Sequence, residues 1–150
     1  MNVGLGFLAK YDENARDLVA RQFDQRERNE FEHHWHLQAR PSQLAPAGQW
    51  RIWMVLAGRG FGKTRAGAEW VRAIAERQPE ARIALVSASL GEARSVMIEG
   101  ESGIISCFPP EERPVFEASL HRLRFPSGAQ AQVFSAAEPE ALRGPQHSHA

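Results

Sequence analysis

The sequence is poor in the features that mark several large protein classes. It has a single cysteine, Cys107, which excludes an internal disulfide and suits a reducing cytoplasm. Neither sign of charge dominates: Lys+Arg and Asp+Glu are 18 each, so no global basic field announces a nucleic-acid partner. No apolar run approaches membrane-spanning length, and the apolar opening NVGLGFLAK is too short for a signal peptide. Internal repeats and low-complexity tracts are missing as well. A chain of 150 residues supports one domain with a real core and hardly two.

What is present centres on LAGRGFGKTRAGAEW, residues 56–70. A glycine-rich phosphate loop reads G-x-x-x-x-G-K-[ST], and here Ala57 stands at the first glycine position. The preceding RIWMVLA, residues 51–57, is an apolar run expected to form a strand buried on both faces of a parallel sheet. Extended geometry at its end is open to alanine. After the loop, Gly67, Trp70, Val71 and Ile74 fall at i, i+3, i+4 and i+7, one stripe of a helix that Pro79 stops. Arg65 with Glu69 and Arg72 with Glu76 are i, i+4 pairs expected on its solvent face.

That placement carries chemistry. The first turn of a helix has unpartnered amides and a partial positive charge, both of which a polyphosphate satisfies. Gly58, Gly60 and Gly62 let the backbone of the loop, Arg59 and Phe61 included, approach phosphate oxygens closely. In such a loop Lys63 can reach the β- and γ-phosphates of ATP, and the Thr64 hydroxyl can ligate Mg²⁺. Arg59 either folds back over the phosphates or points outward to a neighbouring subunit or nucleic acid.

Elsewhere, residues 14–40 read as one charged helix with Leu18, Phe23, Phe31 and Trp35, followed by the connector ARPSQLAPAGQW. Gln43 in that connector carries an amide suited to an adenine edge. His33, His34 and His36 invite a metal reading, but no further ligand at a recognised spacing supports it, and a polar helix face is the simpler account. A second strand is expected over residues 82–88, then a helix from Ser89 or Gly91 to about Gly100. LHRLRF and AQAQVFSA alternate around a PSG turn, which predicts a hairpin. The order of elements predicts an α/β fold, a doubly wound and mainly parallel sheet of the P-loop NTPase type, preceded by a helical segment over residues 1–45.

The stretches ARPSQLAPAGQWRIWMVLAGRGFGKTRAGAEWVR, SASLGEARSVMIEGESGI and FSAAEPEALRGPQH together resemble the N-terminal ATPase region of large terminase subunits, the motors that package DNA into tailed-phage heads. The likeness is to the type of prophages and gene-transfer-agent-like elements. Trp50 and Trp53 ahead of a phosphate loop with an internal arginine make it far more specific than the loop alone. It covers residues 40–150. It implies ATP and Mg²⁺ as cofactors, coupling of hydrolysis to movement of double-stranded DNA, and a homo-oligomeric ring on a portal. It further implies a small terminase subunit as partner, a separate nuclease domain, a site in the host cytoplasm, and no membrane. It places Gln43 where the family contacts adenine and makes Arg143, in LRGPQH, a candidate finger toward a neighbouring subunit's γ-phosphate; a local salt bridge is the alternative for Arg143.

In the family, a strand ending in an acidic pair follows this LRG segment, its Asp orienting Mg²⁺ and its Glu activating water. Residues 1–150 contain no such strand, and neither Glu138 nor Glu140 looks like a substitute. The expectation is therefore a partial ATPase domain over residues 46–150, a truncated reading frame that binds nucleotide and does not turn it over alone. Another P-loop enzyme such as a kinase, or a non-catalytic remnant, are the competing readings.

Overall fold

The computed structural model describes residues 12–150; the apolar opening stretch lies outside them. The chain divides into two compact units, residues 1–55 and 56–150.

In the first unit the single helix expected over residues 14–40 is instead three: α1 (Glu13–Ala20), α2 (Gln25–Glu32) and the short α3 (Trp35–Gln38). The break has a legible cause. Asp24 accepts from the Glu27 backbone N–H at 2.8 Å while the Glu27 carboxylate accepts from the Asp24 N–H at 2.9 Å, a reciprocal cap that starts a new helix. Asp12 caps α1 in the simpler way. Phe23 and Phe31 meet edge to face at 5.8 Å. His33 Nδ1 is engaged with the Asn29 carbonyl at 2.8 Å, and no group of three or more metal-binding side chains exists among the described residues.

The run 51–57 is not a strand. Ile52, Met54 and Leu56 are 81%, 71% and 87% exposed, the reverse of the burial expected. A strand is a property of a pair, and among the described residues no strand pairs with this one.

The second unit is α/β. Helix α4 (Lys63–Arg77) leads into β1 (Arg82–Ser87). A short helix α5 (Leu90–Glu92), capped by Ser89, continues as a π-helix over Ala93–Ile98 rather than as the regular helix expected. Then come β2 (Val115–Glu117), β3 (Arg122–Arg124) and β4 (Gln130–Ser135), giving one sheet in the order β1-β4-β3-β2. Only β1–β4 is parallel; β4–β3 and β3–β2 are antiparallel, so the sheet is not mainly parallel. Short connections dictate this. Gly128 N–H reaches the Phe125 carbonyl at 3.0 Å to close the expected hairpin, and a turn through His121 joins β2 to β3. On the outer edge of β1, the Ala84 N–H donates to the His149 carbonyl and the Ser148 N–H to the Arg82 carbonyl, each at 2.8 Å, in a parallel bridge.

Val71, Ile74 and Ala75 of α4 pack with Ile83 and Leu85 of β1, Leu123 of β3 and Ala131 and Val133 of β4; Ile98, Ile104, Cys107 and Phe108 close the same core. Trp70 is only partly buried against it, its ring 5.8 Å from His149. Among the described residues no helix is long and apolar enough to cross a membrane.

Glu69 departs from its expected solvent face. It is 3% exposed, with Arg65 at 2.7 Å and Arg72 at 3.9 Å. Arg72 also donates to the Cys107 carbonyl at 2.6 Å and lies over the Phe108 ring. Burial raises the Glu69 carboxyl above its ordinary 4.5, although Arg65 and Arg72 pull the other way. Burial, with Glu69 alongside, pushes the Cys107 thiol up to about 12, so it stays protonated. An acid with a raised folded-state value contributes its stability below 4.5 and loses it as pH rises through the raised value. Urea midpoints at successive pH values should show stability declining as pH rises through the raised value, a decline that Glu69→Gln removes. Parallel pH profiles for the two proteins would show that Glu69 titrates alike folded and unfolded.

Candidate functional site

The site begins where α4 begins. Gly62 is the helix N-cap at φ +89°, and Gly60 is at φ +75°; both are left-handed conformations that side chains rarely adopt. A Cβ on Gly60 would meet nothing within 4 Å, so conformation and not crowding favours glycine there. No side chain caps α4. The N–H groups of its first turn therefore have no intrahelical acceptor and point out of the helix end.

Lys63 bends back over the loop it follows. Its Nζ donates to the Ala57 carbonyl at 2.9 Å and the Gly58 carbonyl at 2.8 Å. An ammonium has three N–H donors, so one remains for an incoming anion. The loop is thereby closed by the same charge that sits beside the helix end.

A cavity of about 500 Å³ opens here, within the size range of small-molecule sites. One wall is Gly60, Phe61, Gly62, Lys63 and Thr64; the other is Ser95, Val96, Gly100, Glu101 and Ser102. The structure thus brings five of the expected residues together. Gly58 and Arg59 are exposed and outside the lining, although the Gly58 carbonyl holds Lys63. Arg143 is exposed, also outside the lining, and paired with Glu140 at 2.7 Å. A pair this exposed is worth little and releases easily. Gln43, in the first unit, is buried, and its amide oxygen accepts from the Arg40 N–H at 2.9 Å.

The second wall escaped sequence reasoning, although EARSVMIEGESG stood out as a stretch. It is delivered by the π-helix and the turn after it. A Cβ on Gly100 would lie 2.7 Å from the Val96 carbonyl oxygen, and one on Gly103 would lie 2.6 Å from that of Ile98. Both clashes are with backbone, so only glycine allows the chain to fold back this tightly. Gly103 N–H donates to the Gly100 carbonyl at 2.8 Å, and Ser106 Oγ donates to the Glu101 carbonyl at 2.7 Å. Two glycines in E-G-E-S-G were the available signal.

The donor set suits a triphosphate with a hard cation: backbone amides and an ammonium for anionic oxygens, and hydroxyl and carboxylate oxygens for the metal. Residues 54–150 match the family described as terminase large subunit, T4likevirus-type, N-terminal. No curated protein and no solved structure matches the chain.

Proposed function

The chain belongs to the terminase large subunit family by its N-terminal region, and on that premise we propose that residues 56–150 form the ATP-binding half of a DNA-packaging motor. The observation that carries the proposal is the cavity in which Lys63 and Thr64 stand at an uncapped helix start beside a glycine-rich loop. On this reading residues 58–62 form a phosphate loop whose backbone cradles the β- and γ-phosphates. Lys63 turns its remaining N–H to them, and the Thr64 hydroxyl takes one position on Mg²⁺. The metal supplies charge neutralisation on the phosphate oxygens when bound.

Arg59 flanks the loop and is free to reach a phosphate or a neighbouring subunit. Arg143 exchanges its loose partner Glu140 for a γ-phosphate across a subunit boundary. Double-stranded DNA, a portal, a small terminase subunit and further copies of this chain complete the assembly. The finer fold reading is a doubly wound P-loop sheet. It is supported by the parallel seating of Ser148 and His149 on β1, along which a further strand would add a second parallel pair.

Titration with ATP, ADP and AMP tests the reading. Charge-assisted hydrogen bonds are worth about 1.5–3 kcal/mol each. Affinity is therefore expected to fall about tenfold or more from ATP to AMP. Equal affinity for ATP and AMP would place recognition away from the phosphates and overturn it.

A further inference from the structure

The wall opposite Lys63 contains a carboxylate with no assigned work. Two acidic side chains on the neighbouring segments are committed: Glu99 to Arg94 at 2.9 Å and Glu69 to Arg65 at 2.7 Å. Glu101 forms no ion pair among the described residues, is exposed, and lines the cavity with Lys63 and Thr64. Its backbone is held in place by the Ser106 hydroxyl at 2.7 Å and by the tight turn between Gly100 and Gly103.

An anion in the lining of a site for a triphosphate is unfavourable by itself, because like charges repel. A divalent cation between them reverses the sign. Mg²⁺ is held in nucleotide sites by one or two carboxylates together with phosphate oxygens, and it keeps several waters. Resting on the nucleotide reading above, we propose that Glu101 is a metal-positioning residue. Its carboxylate holds the Mg²⁺ carried by the triphosphate, directly or through a metal-bound water, from the wall opposite Thr64. The site is thereby selective for the metal-bound nucleotide over the free one.

The test is a change of sign. Binding of a non-hydrolysable ATP analogue is measured for the 150-residue chain, for Glu101→Gln and for Glu101→Asp, each with excess Mg²⁺ and with EDTA. Loss of the carboxylate should weaken binding about tenfold or more in Mg²⁺, as losing a metal-positioning partner does. In EDTA the same substitution should leave binding unchanged or tighten it, since the repulsion is gone. Glu101→Asp should recover part of the Mg²⁺ effect. A Glu101→Gln protein that responds to Mg²⁺ like the parent, or that loses affinity equally in both conditions, overturns the proposal. Lys63→Ala separates the two readings: if that variant binds the analogue as the parent does, the nucleotide reading itself fails, whatever Glu101 does.

Discussion

Replacing Lys63 by alanine should reduce affinity for an ATP analogue by about 100-fold, the loss of one strong charge-assisted contact at about 3 kcal/mol. Two effects combine. The phosphates lose the ammonium, and the carbonyls of Ala57 and Gly58, which Nζ holds at 2.9 and 2.8 Å, lose the group that draws them together. The loop then opens and its amides no longer converge on one anion. Folding should be spared, because Lys63 is exposed and its two acceptors face solvent on loss of the ammonium. Calorimetric titration with a circular dichroism control reads both. Unchanged affinity in a folded variant would remove the nucleotide from this site.

Ile98→Ala should cost about 2–5 kcal/mol, out of a total stability typically near 5–15 kcal/mol. Ile98 ends the π-helix, is 0% exposed and belongs to the core shared by α4, β1, β3 and β4. Its carbonyl is also the atom against which Gly103 folds. The side chain therefore anchors the second wall of the cavity to the core. Val96→Ala is the control from the same turn: Val96 is 44% exposed, and its loss should stay within about 0.5 kcal/mol. Urea midpoints of the two variants decide it. Equal and small effects would show that the wall is not held through the core.

The sequence made some of this plain and hid the rest for physical reasons. Helix α4 was legible because its boundaries are local: glycines before it, Pro79 after it, and Val71 and Ile74 on one stripe. The hairpin of β3 and β4 was legible in PSG for the same reason. The break between α1 and α2 was written in Asp24 and Glu27, a signal overlooked because the hydrophobic spacing runs through it. Segment 51–57 is the opposite case. Its composition is that of a buried strand, but strand formation depends on a neighbour that composition cannot supply. Glu69 was placed on the solvent face by its charge, and only the approach of Cys107 and Phe108 with Arg72 shows that it is buried. Of the candidate site, the loop wall was readable residue by residue. Glu101 was not, because it joins the cavity lining through a fold-back whose geometry rests on two glycine contacts.

The π-helix at Ala93–Ile98 also bears on how this stretch tolerates changes of length. Its Glu99 N–H reaches back five residues, to the Arg94 carbonyl at 2.9 Å, where an ordinary turn reaches four. The turn therefore holds one residue more than an α-helical path between the same endpoints requires. Deleting a single residue at exposed Ser95 or Val96 would let the turn tighten to the ordinary pitch, with Ala93 and Ile98 still at the core. In most helices a one-residue deletion rotates everything downstream by about 100°. Here the segment carries its own slack, and the EGESG turn would keep its place against the loop.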